Sequence, residues 1–273
     1  MKTSAAVLLS LLLPLVAQEG PKSKAADLAA QGEEKNDPQN APKAPPIQQL
    51  NEHEFQVGKV RIDKRSRAIS FPGAINMNKG LLEYGIVHLN GKIHEALVVT
   101  DISPFNLNIA FKLLRYPASD ELFEIVDEKF NPTGKFPEPA PEVRQGARID
   151  IALTWQADGR ENRRLMNELV YHTTLERPMP PGPWLYTGSY MLENRYKAEV
   201  SGDISAIFLA QPAMINYPGE DRVNDDVWIV NEKHCPPVDT PVTVTITPHQ
   251  SPQHKENQEN PDQQPEPTTN KKP

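Results

Sequence analysis

The chain has 273 residues, 38% of them hydrophobic, and a formal net charge of -7. That length accommodates one medium domain or two small ones, and the mild acidity argues against nucleic acid as a partner. A single cysteine, Cys235, excludes an intramolecular disulfide, a cysteine-ligated cluster and a multi-cysteine zinc site, and reads as a partly buried thiol.

In chain order, the first segment has the plan of a secretory signal. Lys2 supplies the positive charge, Ala5 to Leu15 is an apolar run too short to span a bilayer, and cleavage is expected near Ala17-Gln18. No later run is apolar and long enough to cross a membrane. Residues 18–52 and 249–273 are rich in Pro, Gln, Lys and Glu without an apolar period, so a disordered linker and a disordered tail are expected. The 28 prolines, against a usual share of about 5%, cluster largely outside the middle of the chain. The folded part is then residues 53–248.

Within it the pattern is mostly of period two. Strands are expected at Phe55–Ile62 and Ala68–Phe71, the second broken by Pro72-Gly73. Leu81–Leu89 and Lys92–Thr100 read as a central hairpin turned at Asn90-Gly91, a pair suited to the positive φ angles of a type I′ turn. Ser103-Pro104 opens a helix whose Leu107, Ala110 and Leu114 share a face. Further strands are expected at Leu122–Val126, Ala147–Trp155, Asn162–Met166 and Trp184–Met191. A second hairpin is expected over Arg195–Val200 and Ile204–Ala210, and two more strands at Trp228–Val230 and Val242–Ile246. Met166–Thr173 fits helix or strand. The whole reads as a β-rich α+β domain, a mostly antiparallel sandwich or open barrel with one clear helix packed on a sheet. A division into two lobes would fall near Asp158-Gly159.

The hairpin register would set Ile86 opposite Glu95 and Val87 opposite His94. Glu95 then sits on the more apolar face, while Glu83 and His94 share the other. A carboxylate among aliphatic groups must find hydrogen bonds or a cation, or shift its pKa upward. Glu95, His94 and Glu83 are therefore the catalytic candidates, although neighbouring side chains on a strand point to opposite faces. The alternative for Glu95 is a structural carboxylate, and for His94 a half-buried structural histidine. Trp184 and Tyr186 on one strand face, with Thr187 and Ser189 on the other, are candidates to line a ligand groove; the alternative is core at a sheet edge. No nucleophile elbow, phosphate loop, dinucleotide fingerprint or metalloprotease motif occurs. No cofactor and no metal site is expected. The acidic stretch Asp221, Asp225 and Asp226 reads as an exposed turn, as do the basic runs at 61–67 and 160–164.

Val60-Arg61-Ile62-Asp63 with Ser70-Phe71-Pro72-Gly73, Gly80-Leu81-Leu82-Glu83-Tyr84, Gly91-Lys92-Ile93-His94-Glu95-Ala96-Leu97, Pro183-Trp184-Leu185-Tyr186-Thr187-Gly188-Ser189, Gly202-Asp203-Ile204 and Pro236-Pro237-Val238-Asp239-Thr240-Pro241-Val242 resemble in order the YdjY-domain family of exported bacterial proteins. The resemblance implies a periplasmic or secreted envelope protein and supplies no reaction. The functional expectation is a non-catalytic binding or interaction domain for an envelope protein or small ligand. The alternative is a hydrolase or metal-dependent enzyme using Glu95 and His94.

Overall fold

The computed structural model describes residues 46–250; the expected signal lies outside them, as do most of the expected linker and all but the first two residues of the expected tail. The ordered body starts slightly earlier than the composition implies. Strand β1 (Gln48–Gln49) pairs with β2 (Glu54–Val57), which turns at Gly58 into β3 (Val60–Asp63), so the single strand expected over 55–62 is a hairpin. Next come β4 (Ala68–Ile75), β5 (Tyr84–His88) and β6 (Ala96–Thr100). Helix α1 (Pro104–Leu113) follows, then α2 (Pro141–Gly146), β7 (Arg148–Ala157), β8 (Arg160–Leu165) and β9 (Val170–His172). The remainder is β10 (Arg177–Pro178), β11 (Trp184–Tyr186), β12 (Met191–Leu192), β13 (Arg195–Tyr196), α3 (Lys197–Ser201), β14 (Asp203–Ala206), β15 (Ile215–Asn216), β16 (Trp228–Val230) and β17 (Pro241–Pro248).

The main sheet runs β4-β17-β7-β11-β15-β14-β5-β6 and returns from β6 to β4, closing an eight-stranded barrel. The fold is β-rich with few helices, and most pairs are antiparallel, as expected. The closed mixed barrel is partly consistent with the expected sandwich or open barrel, from which it differs in being closed. Closure depends on β4 serving two neighbours along one edge. Its first half pairs with β3 and its second half with β6, while β17 lines the other edge throughout. Pro72-Gly73 therefore does not end the strand. It marks the change of partner, where a side chain at Gly73 would meet Val98 Cγ1 at 3.0 Å and the Val99 carbonyl at 3.1 Å. Asp158-Gly159, both at positive φ, forms the turn between β7 and β8. The strands on either side of it belong to one sheet, so no lobe boundary falls there.

Alternation decides which side of the wall is buried. Val242, Val244 and Ile246 of β17 are buried while Thr243 is exposed, and Ile149, Ile151 and Leu153 of β7 join them. Helix α1 packs its Leu107, Ala110 and Phe111 into the same core, touching β2, β3 and α3. Ser103 caps it as expected, accepting from the Asn106 N–H at 3.2 Å. Glu199 of α3 reinforces that end, its Oε2 accepting from Ser103 Oγ at 2.9 Å and from the Phe105 N–H at 2.8 Å. Phe111 stacks on Tyr186 with centroids 4.0 Å apart.

The central hairpin is not formed. β5 and β6 are parallel, with Tyr84 beside Ala96 and Val87 beside Val99. The chain returns through Leu89–Glu95, shorter than the dozen or more residues such crossovers usually take. Neither Asn90 nor Gly91 takes a positive φ. The return is tightened by a bond from the Gly91 N–H to the His88 carbonyl and by a 3-10 turn over Ile93–Glu95. It is pinned from outside: Asn76 Nδ2 donates to the Ile93 and Ala96 carbonyls, and the His88 N–H donates to the Gly202 carbonyl at 2.8 Å. The second parallel pair, β14 with β15, is also joined by a short return, residues 207–214. Leu89 and Ile93 from the first return, with Ala210 and Ala213 from the second, cover Tyr84, Val87, Ala96, Val99 and Ala206 in a small second core. The expected hairpin over 195–210 is instead the β13–α3–β14 run, with Gly202 as the left-handed helix cap.

Cys235 is half-buried, with Sγ 3.9 Å from the Met77 carbonyl oxygen, and burial pushes its thiol up to about 12. Iodoacetamide at pH 8 is expected to alkylate the native protein at least about a hundredfold more slowly than the urea-unfolded chain, read by intact mass. Equal rates in both states would show that the thiol is open.

Candidate functional site

The polar residues singled out in the sequence meet at the edge of the second core, in an arrangement set by the crossover rather than by a hairpin. The 3-10 turn brings His94 and Glu95 side by side, with Nε2 and Oε2 3.6 Å apart, where a strand would have sent them to opposite faces. The Glu95 side chain is 20% exposed and that of His94 76%, so Glu95 is partly covered and not enclosed, and His94 is a surface residue. Glu83, just before β5, donates its N–H to the Glu95 carbonyl at 3.0 Å. Desolvation and the adjoining Glu95 carboxylate hold the Glu83 carboxyl above the usual range.

Two residues not chosen from the sequence complete the cluster. The Lys92 ammonium donates to the Tyr84 hydroxyl and lies over its ring, 4.5 Å from the centroid. Desolvation pulls the ammonium down, but the Tyr84 contact and the charges of Asp203 and Glu95 outweigh it, so its pKa is raised. Asp203 opens β14 opposite Val87, on the side of the small core. It is 1% exposed, and its Oδ1 has no hydrogen-bond partner. Burial raises its pKa, and Lys92 offsets part of that rise. The cluster thus sets one lysine against three carboxyl groups, a site suited to holding a further cationic group. The missed signal was Gly202-Asp203: a carboxylate directly after a helix-ending glycine, at the start of a fully buried strand.

A carboxyl whose folded pKa is raised is most favourable to the fold when protonated. Its contribution is present below the unfolded value near 3.9 and is lost as pH rises through the raised folded value. Asp203→Asn is therefore expected to stabilise the protein by about 1 kcal/mol at pH 7.5 and by nothing at pH 3.5. Urea melts at the two pH values measure this, and a destabilised variant at pH 7.5 would overturn it.

Trp184 and Tyr186 do not line a groove. Both are 0% exposed; Trp184 Nε1 donates to Asn167 Oδ1 at 2.9 Å and Tyr186 Oη to Asn108 Oδ1 at 2.6 Å. Thr187 and Ser189 are likewise spent on structure. Thr187 Oγ1 donates to the Ala213 carbonyl and accepts from Asn216 Nδ2, and Ser189 Oγ donates to the Pro212 carbonyl and accepts from the Ala198 N–H. In the barrel β11 is separated from β5 by β15 and β14, so this strand and the acid cluster do not share a surface strip.

The buried imidazole of His172 pairs with the partly exposed carboxylate of Asp221 at 3.0 Å, a contact the sequence did not announce. Nδ1 accepts from the Leu175 N–H at 3.2 Å, so Nε2 carries the proton and donates it to Asp221. With both ring nitrogens occupied and Trp228 edge-on at 4.6 Å, the pair ties a loop to the core and has no free base. Among the described residues, no group of three or more His, Cys, Asp or Glu is placed to hold a metal ion. Among them also, no helix is long and apolar enough to cross a membrane.

Apolar surface gathers elsewhere. The segment expected as a strand at 122–126 forms instead an irregular finger, bridged at Val126 and Pro132. Phe130 is 84% exposed, Phe136 47% and, on a neighbouring segment, Val223 68%. A groove of about 270 Å³ runs between these segments, lined by Leu122, Phe123, Phe136, Leu209 and Val223, with Glu124, Gln211 and Arg222 as its polar members. Arg222 Nη1 donates to the Gly219 carbonyl at 3.3 Å, while its Nε is buried without a partner. No family model, curated protein or solved structure matches this chain.

Proposed function

We propose that this is an exported envelope protein, periplasmic or secreted, that works by binding a partner rather than by turning over a substrate. The apolar groove beside the 122–136 finger carries the reading. Apolar side chains as open as Phe130, Phe136 and Val223, on two neighbouring segments around a concave strip, characterise interaction surfaces rather than bare monomer surface. Its volume falls below the roughly 300–1,000 Å³ of small-molecule pockets and suits one or two inserted side chains. The apolar leader-like run at Ala5–Leu15 and the resemblance to the YdjY-domain family support the location.

Phe136→Ser and Val223→Ser should leave the melting temperature within about 2 °C, since exposed substitutions rarely change stability by more than about 0.5 kcal/mol. They should remove the species that crosslink to the wild-type protein in an envelope extract. An unchanged crosslink pattern would move the contact surface elsewhere.

A second reading, a hydrolase or other enzyme using Glu95 and His94, has one observation in its favour: Glu83, His94 and Glu95 lie together with Lys92 alongside. Turnover in an unbiased hydrolase screen, abolished by Glu95→Gln, would establish it in place of the binding reading.

A further inference from the structure

The groove and the acid cluster adjoin. The Glu83 carbonyl accepts from the Ile207 N–H at 2.7 Å and the Phe208 N–H at 3.0 Å, and the next residue, Leu209, lines the groove. The Leu209 N–H donates in turn to the Arg222 carbonyl at 2.7 Å. Asp225, two residues beyond Val223, lies near enough to Glu83 for its charge to be felt there. The Leu209 end of the apolar groove therefore lies close to the Glu83–Glu95 pair.

Charge around the groove is predominantly acidic. The segments that line the groove carry Asp120, Glu121, Glu124, Asp127 and Glu128, against Lys129 and Lys135, on one side and Glu220, Asp221, Asp225 and Asp226, against Arg222, on the other. Glu121 is met by Arg148 at 2.9 Å and Asp221 by His172, which leaves an acidic excess around the groove and at Glu83 and Glu95. Arg222 is the one base lining the groove. Among so many carboxylates a ligand acid would be repelled.

We infer that the groove takes a polypeptide segment of a partner protein in which a large apolar side chain is flanked by lysine or arginine. The apolar side chain fills the groove, and the basic side chains reach Asp225 and the Glu83–Glu95 pair. This rests on the groove being the contact surface, and it adds the chemistry of the occupant.

The test uses fluorescence anisotropy with the full chain and three dye-labelled hexapeptides that share a central Leu-Phe pair, flanked by lysines, by serines or by glutamates. The lysine probe should bind about tenfold more tightly than the serine probe, and the glutamate probe least, with the preference fading as salt is raised. The double variant Glu83→Gln, Asp225→Asn should weaken the lysine probe about tenfold and leave the serine probe unchanged. Phe136→Ser should weaken both. A glutamate probe that binds as well as the lysine probe overturns the occupant and leaves the groove as a contact surface. Binding of the lysine probe that ignores Phe136→Ser, or no binding by any probe, overturns both.

Discussion

Replacing Trp184 with alanine is expected to lower stability by about 3–5 kcal/mol, a large fraction of the roughly 5–15 kcal/mol that holds a domain together. The indole is fully buried, lies 5.7 Å from the Tyr217 ring, and pairs across the sheet with Ile149. Its removal leaves a cavity in the main core and deprives Asn167 Oδ1 of its donor. Asn167 would still hold the 180–182 loop through Nδ2, which donates to the Pro180 carbonyl at 2.8 Å. The melting temperature should therefore fall by roughly 10 °C or more, while Trp184→Phe, which keeps an aromatic ring and loses the N–H, should cost about 1–2 kcal/mol. A Trp184→Ala protein that melts like wild type would return this side chain to the surface and reopen the aromatic-groove reading.

Gly202→Ala is expected to cost about 2–4 kcal/mol, for two reasons that add. Gly202 holds φ at +76°, where a Cβ is strained. An added Cβ would also sit 2.6 Å from Asn90 Oδ1, a side-chain end, and 2.7 Å from the Gly91 backbone, which cannot swing aside as a side chain can. The contact is the one that seats the Leu89–Glu95 return, so strain there is transmitted to Lys92, Glu95 and the position of Asp203. Gly159→Ala is the control: φ is +69° there, with nothing within 4 Å of the added atom, and about 1 kcal/mol is expected. Urea denaturation of the two variants separates crowding from backbone strain. Equal losses at both sites would remove the close packing of Gly91 on Gly202 from the account.

What could be read from the chain follows the range of the forces involved. Alternation in Val242–Ile246 and Ile149–Leu153 is a burial pattern, and burial on one face of a sheet shows as period two wherever the strand ends up. The Ser103-Pro104 cap is a contact between neighbours, and it placed α1 correctly. Asn90-Gly91 misled because its suitability for a tight turn is equally local, whereas the geometry it takes is fixed by Gly202 and Asn76, more than a hundred residues and fourteen residues away. Once that turn is a crossover, the assumed register falls with it, and the inward placement of Glu95 becomes a partly covered position next to His94. The aromatic residues of 184–186 were read as either groove or core, and nothing within that stretch decides between them. The decision comes from Asn108 and Asn167, which supply buried partners for the two polar ring atoms. Asp203 escaped notice for a related reason: a single acid in a short strand reveals its burial only when Tyr84 and the two returns are in place around it.

The position of β17 has a consequence for how such a chain comes to be complete. It lies between β4 and β7, bonded along its length to both. Until residues 241–248 arrive, two long backbone margins stay open to water and to other chains, so any product that stops short of them is a sticky intermediate rather than a smaller version of the protein. Among the described residues the last barrel strand to be made is the stave that finishes the cask, and quality control acting on this protein has a sharp criterion to use: whether that stave is in.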